Sequence, residues 1–77
     1  MTEQQARKEV AQDWRDMAHA IHKEDAYASH VTDETKEQLL RDHLSFADDI
    51  ESGVANGFTI WQRIRYKMTG ECVALLP

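Results

Sequence analysis

Apolar residues recur with helical spacing through the first part of the chain, at intervals of four, four, three and four residues. This spacing places them along one face of an amphipathic helix. Thr2 followed by Gln5 is a capping-box pair, in which each side chain bonds the other residue's backbone N–H. We therefore predict a first helix over residues 3–27. Its apolar stripe consists of Ala6, Val10, Trp14, Met17 and Ile21.

The same spacing returns after a polar break, and it predicts a second helix over residues 33–54. Thr32 is a suitable N-cap, and the acidic Asp33 and Glu34 favour the positive end of the helix dipole. Asn56-Gly57 supplies residues that tolerate a left-handed conformation and is expected to end the helix. Two helices of about 20 residues joined by a short turn pack antiparallel, as a helical hairpin. The apolar positions are Leu40, Leu44, Ala47, Ile50 and Val54, and Leu39, His43 and Phe46 widen this face.

A third, shorter helix is predicted over residues 60–69. Thr59 with Gln62 has the spacing of a capping box, and Gly70 is a stop signal. The apolar residues 71–77, which include Cys72, are expected to pack back as a tail. The sequence therefore predicts one all-α domain over residues 1–77: a long hairpin with a short third helix.

The apolar face of the second helix is wider than the seam of a two-helix hairpin requires. The excess would leave an exposed apolar patch, the kind of surface that marks a contact site. Since two-fold self-association is the commonest way to cover such a patch, we expect a homodimer. The predicted core and dimer residues are Val10, Trp14, Met17, Ile21, Leu40, Leu44 and Ile50.

Charge limits the classes of partner. The chain carries 14 acidic and nine basic residues, a net charge of −5, which disfavours a broad contact with a phosphate backbone. Residues 1–57 hold thirteen acids and six bases, whereas residues 58–77 hold three bases and one acid. No apolar run has the length of a membrane span, and the polar start is unlike a signal peptide. We therefore expect a cytoplasmic protein without membrane contact.

The candidates for catalysis or metal binding are few. His19 and His22 stand three apart, but further metal ligands at a matching spacing do not follow. Ser29-His30 is adjacent, yet no third group is placed to orient the imidazole. Cys72 is a lone cysteine, and a structural role suits it better than a reactive one. We predict no enzymatic activity, no cofactor and no metal.

The basic third helix is the predicted contact surface. Arginine and aromatic side chains are the residue types that anchor protein interfaces, and they also hold bases or phosphates. The alternative is that the apolar residues here are core and the basic residues are solvated surface. The predicted partner-binding residues are Phe58, Trp61, Arg63, Arg65, Tyr66 and Lys67. We expect a protein-binding inhibitor or adaptor; the alternatives are an oligomeric sponge for a phosphate-bearing signalling nucleotide and a small nucleic-acid-binding regulator.

Residues 57–77, GFTIWQRIRYKMTGECVALLP, resemble the endings of small helical accessory proteins carried by temperate tailed phages. These include the anti-quorum-sensing proteins of Mu-like Pseudomonas phages. The resemblance covers about a quarter of the chain and includes no catalytic or ligand motif. It implies a dimeric hairpin that binds and blocks host regulatory or defence proteins in the cytoplasm of the bacterial host, without catalysis.

Overall fold

The fold is all-helical over residues 1–70, the part of the chain that the computed structural model describes. Helix α1 spans Glu3–Lys23, α2 spans Asp33–Ser52 and α3 spans Phe58–Thr69, and no strand occurs among these residues. The all-α prediction is confirmed to this extent. The predicted tail at residues 71–77, with Cys72, lies outside the described residues.

The first two helices begin at the threonines that the sequence indicates. The Thr2 hydroxyl accepts from the Gln5 backbone N–H at 3.2 Å, and the Gln5 side chain accepts from the Thr2 N–H at 3.0 Å. At the start of α2, the Thr32 hydroxyl accepts from the Thr35 N–H at 3.2 Å. Each cap satisfies a backbone donor that has no partner inside the helix.

Both long helices end earlier than predicted. Helix α1 ends at Lys23, and Asp25 then adopts a left-handed φ of +51°, which turns the chain away from the helix axis. Helix α2 ends at Ser52 because Gly53 takes a φ of +89°, which glycine adopts without a Cβ clash. The predicted stop at Asn56-Gly57 is wrong by one helical turn.

Helix α3 begins two residues earlier than predicted. Its N-cap is Gly57, whose carbonyl accepts from the Trp61 N–H at 2.9 Å, and no side chain caps this end. The predicted Thr59–Gln62 capping box is therefore wrong, since Thr59 already lies inside the first turn. Gly70, with a φ of +74°, ends the helix as expected.

The core lies at one end of the molecule, where α1 packs against both α2 and α3. Trp14 and Phe46 pack at its edge, with ring centroids 5.2 Å apart. Small residues allow α1 to approach its neighbours closely. The buried cluster consists of Ala6, Val10, Ala11, Ala47, Ile50, Ile60 and Ile64.

The residues predicted for the core do not share one environment. Val10 and Ile50 are buried. Met17 is 43% exposed, so it is not a core residue of the single chain, because α3 is too short to cover this part of α1. The homodimer remains a prediction. The half-buried members of the set are Trp14, Ile21, Leu40 and Leu44.

Candidate functional site

The outer face of α3 presents three large aromatic side chains. Phe58 is 68% exposed, Tyr66 is 52% exposed and Trp61 is 38% exposed. Ile60 and Ile64, four residues apart, point the opposite way into the core. A twelve-residue helix thus divides into a buried aliphatic side and an exposed aromatic side.

Two arginines lie on the exposed surface of α3, two residues apart and therefore about 160° apart around the helix axis. Arg63 and Arg65 are both exposed, and neither forms an ion pair with any of residues 1–70. Arg65 follows Trp61 by one helical turn, and Arg63 precedes Tyr66 by three residues, so each guanidinium has an aromatic neighbour on the helix surface. Planar guanidinium groups beside aromatic rings can bind carboxylates and apolar anchors together. We call the exposed residues Phe58, Trp61, Arg63, Arg65 and Tyr66 the aromatic face.

Lys67, the sixth residue of the predicted contact surface, has a role inside the fold. Its Nζ lies 3.0 Å from Asp13 Oδ2 on α1. The hydrogen bond to Asp13 raises the pKa of Lys67 above its usual value. The ion pair fastens the last turn of α3 to the middle of α1, so Lys67 is not a free charge at the edge of the aromatic face.

Arg7 connects all three helices, although it is not among the residues predicted for the site or the core. Its Nε lies 3.0 Å from Glu3 Oε2, and its two Nη atoms donate to the Ile50 carbonyl at 3.3 Å and to Asn56 Oδ1 at 2.6 Å. Its guanidinium carbon lies 6.0 Å from the centroid of the Trp61 ring. The side chain is buried. Arg7 therefore holds the end of α2, the α2–α3 loop and the start of the aromatic face in register with α1.

A signal for this buried arginine exists in the sequence. Arg7 stands four residues before Ala11 and eleven before Ala18, so the three share one stripe of α1. Both alanines are fully buried. The predicted stripe includes Ala6 but neither Ala11 nor Ala18, although small residues of this kind mark the side where two helix backbones come closest.

A second polar constellation lies at the far end of the molecule, near the α1–α2 connection. A depression of about 320 Å³ opens there, and Lys36 provides its amine, which lies 2.5 Å from Asp25 Oδ1 and 3.9 Å from Asp33 Oδ1. The hydrogen bond to Asp25 raises the pKa of Lys36. Since carboxylates already surround this cation, the depression suits an anionic ligand poorly. Its lining residues are His22, Asp25, Asp33, Lys36 and Glu37.

The sequence candidates for chemistry are not brought together. His22 packs edge-on against Tyr27 with ring centroids 6.2 Å apart, whereas His19, Ser29 and His30 are exposed. Within residues 1–70, no group of three side chains could hold a metal ion. The His22 Nδ1 and Tyr27 hydroxyl are buried without a hydrogen-bond partner among these residues.

Comparison with known proteins finds no relative. No protein-family model matches the sequence, and neither a curated protein nor a solved structure matches the chain significantly. The resemblance to phage accessory proteins remains a prediction. Among the three described helices, none is long and apolar enough to cross a bilayer.

Proposed function

We propose that the protein is a non-enzymatic protein-binding module, an inhibitor or adaptor that contacts its partner through the aromatic face. The observation that carries this proposal is the exposure of three aromatic rings next to two arginines without ion-pair partners on one helix. Exposed rings of this size cost solvation free energy, and a partner that covers them recovers it.

The partner's chemistry follows from the same face. Arg63 and Arg65 favour a surface that carries carboxylates, and the aromatic rings favour apolar anchors set between them. Arg7 supports the face from beneath, since its bonds to Asn56 and Ile50 fix the chain just before α3. A rigidly held face loses less conformational entropy on binding than a flexible one.

The proposal includes an antiparallel hairpin and a homodimer in the bacterial cytoplasm. Arg15 on α1 lies 2.7 Å from Asp48, and Asp25, just beyond α1, bonds Lys36, which is consistent with helices that run in opposite directions.

Leu44 precedes Asp48 by one turn on the same side of α2 and is half-buried. A second copy that packs on Leu40 and Leu44 would complete their burial. Light scattering on Leu44→Asp should then give the monomer mass where the wild type gives the dimer.

Two alternatives use the same basic side chains. A nucleotide sponge would place a phosphate against Arg63 and Arg65, and a nucleic-acid-binding regulator would use the same pair. Either should lose most of its affinity when salt rises from 50 to 200 mM, by on the order of tenfold per few phosphate contacts. A contact anchored by aromatic burial should change much less.

The test is capture of host proteins from a bacterial lysate by the immobilised chain, compared with variants of the aromatic face. Tyr66→Ala and Arg65→Ala, made separately, should each weaken retention of the captured protein at least about tenfold, the expected effect of truncating an interface anchor. Arg41→Ala is the matched control, because Arg41 is also an exposed arginine, lies on α2 and has only a long contact of 3.7 Å to Glu37. The control should retain the partner fully.

Melting temperature separates the two interpretations of the face. Tyr66→Ala should leave it nearly unchanged, because the ring is half exposed and absent from the core cluster. If the face variants melt earlier and still retain the partner, the aromatic rings are structural and the contact lies elsewhere. Retention that disappears at 200 mM salt would favour the nucleotide or nucleic-acid alternatives.

A further inference from the structure

A strip of apolar side chains on α1 and α2 continues beyond the point where α3 ends. Most of the side chains in this strip are half-buried, and one, Met17, is 43% exposed. The Lys67–Asp13 ion pair places the last turn of α3 beside the middle of α1, and Met17 lies one turn further along α1. We define the apolar strip as Trp14, Met17 and Ile21 on α1 with Leu39 and Phe46 on α2.

Side-chain contacts place both parts of the strip on the same side of the helix pair. The Trp14 and Phe46 rings touch across the α1–α2 seam, with centroids 5.2 Å apart. Arg15, the next residue on α1, reaches Asp48 and Glu51 on the opposite side of the seam. Leu39 precedes Phe46 by seven residues, two turns along the same stripe of α2. The strip therefore lies on the side where Trp14 borders the core that α3 covers.

Acidic side chains border this strip. Asp42 and Asp49 stand four residues before and three after Phe46, and neither forms an ion pair within residues 1–70. Glu24 caps the end of α1, seven residues after Met17, and is also exposed. The charge around the strip is negative, which disfavours a second acidic surface and favours a basic one.

Helix α3 shows which kind of element this surface accepts. It carries three bases and no acid over residues 58–69, and it inserts Ile60 and Ile64 beside α1. Its Lys67 pairs with Asp13 on the rim. The neighbouring strip offers the same combination of apolar floor and acidic rim without a helix of residues 1–70 upon it.

We infer that the apolar strip binds a basic amphipathic helix of a partner protein, in the helix-in-groove mode. The helix would lie roughly in line with α3, its apolar residues against Met17, Ile21 and Leu39. Its lysines or arginines would pair with Asp42 and Asp49. This contact surface is separate from the aromatic face, so the protein would have one surface for an acidic partner and another for a basic helix.

The test uses a fluorescently labelled, 18-residue Leu/Lys peptide with leucines at helical spacing, and measures anisotropy with the full-length chain. A peptide with glutamate in place of every lysine and a scrambled Leu/Lys peptide are the controls. The Leu/Lys helix should bind, and both controls should bind at least about tenfold more weakly, since one lacks charge complementarity and the other lacks an apolar face.

Variants locate the bound peptide. Met17→Lys should weaken binding about tenfold or more, because it puts a charge into the apolar floor without removing a buried side chain. Asp42→Lys should weaken it about fivefold at low salt. Glu34→Lys is the matched control for Asp42→Lys, since it makes the same charge change at an exposed acid without an ion pair on α2. It should change the affinity less than about twofold.

Other occupants of the strip would give different results. If Met17→Lys converts a dimer into a monomer, a second copy covers the strip and the inference is wrong. If the peptide binds only to a chain shortened after Gly70, residues 71–77 are the occupant and the inference is also wrong. If the peptide binds the Glu34→Lys and Asp42→Lys variants equally well, its affinity depends on the net charge of the chain and not on Asp42, and the inference is again wrong. Tyr66→Ala should leave peptide binding unchanged, which separates this test from that of the aromatic face.

Discussion

The two halves of the molecule bury their apolar residues to different degrees. The closed half, residues 1–14 and 46–70, holds every member of the core cluster. In the open half, residues 15–45, Ala18 is the one fully buried apolar side chain, and the leucines and Ile21 remain half-buried. The difference arises because α3 provides a third wall over only the first part of α1.

The polar groups repeat the contrast. In the closed half, Arg7 satisfies acceptors on three elements at once. Within residues 1–70, three buried polar atoms of the open half lack a hydrogen-bond partner, namely His22 Nδ1, His43 Nδ1 and the Tyr27 hydroxyl, against one in the closed half, Trp14 Nε1. Since an unsatisfied buried polar atom costs about 1–3 kcal/mol, we expect the open half to be the less stable part of the described fold. Regions of low local stability are where binding surfaces are usually found.

The largest expected difference between the two halves comes from truncating one aliphatic side chain in each. Ile50→Ala should destabilise the chain by about 2–5 kcal/mol, because Ile50 is fully buried in the closed half. Leu40→Ala, at a half-buried position in the open half, should cost about 1 kcal/mol. Urea unfolding followed by circular dichroism measures both. Equal losses that grow with protein concentration would mean that a second copy buries Leu40.

Removing the Arg7 guanidinium tests whether the polar network stabilises the closed half. Arg7→Met keeps much of the side chain's bulk but removes the donor to Asn56 Oδ1 and one of the two donors to the Ile50 carbonyl, which also accepts from the Gly53 N–H at 3.3 Å. The expected cost is about 1–3 kcal/mol. Lys8→Met is the control, and it should change the unfolding free energy by less than about 0.5 kcal/mol because Lys8 is exposed. A variant as stable as the wild type would show that solvent satisfies both acceptors.

The sequence predicts the helices well because their signals are local. The caps at Thr2 and Thr32 form hydrogen bonds to residues within one helical turn, and the spacing of the apolar residues that follow each cap identifies the buried side of the helix. The end of α1 is harder, since Asp25 takes a left-handed conformation that is more typical of glycine or asparagine. The predicted cap at Thr59 is wrong for another reason. Thr59 and Gln62 have the spacing of a capping box, but the helix already starts at Phe58, because the Gly57 carbonyl accepts the first helical hydrogen bond.

The sequence predicts which residues form the candidate site, but not the contacts that hold them in place. The exposure of Phe58, Trp61 and Tyr66 agrees with the expectation that one side of α3 faces outward. The contacts of Arg7 with Asn56 and Trp61 depend on residues about 50 positions apart, which no local pattern encodes. The position of Lys67 depends likewise on the level at which α3 meets Asp13.

The smallest expected effect is the pH dependence of the Lys67–Asp13 ion pair. The folded state raises the pKa of Lys67, so as long as Asp13 is ionised the pair stabilises the fold below the ordinary lysine pKa of about 10.5. This stabilisation is lost as the pH rises through the higher folded-state pKa. A partly exposed pair of this kind contributes about 0.2–1 kcal/mol.

Lys67→Met should therefore lose less unfolding free energy than the wild type between pH 8 and about pH 11.5, and high salt should narrow the difference. Lys8→Met should lose as much as the wild type, since Lys8 forms no ion pair within residues 1–70. Lys36 also has a raised pKa, from its bond to Asp25, but it lies in the open half. We expect that half to open locally without unfolding of the core, so Lys36→Met should alter hydrogen exchange in residues 24–40 more than it alters the global free energy of unfolding. Identical alkaline losses in Lys67→Met and the wild type would show that the ion pair adds no measurable stability to the α1–α3 contact.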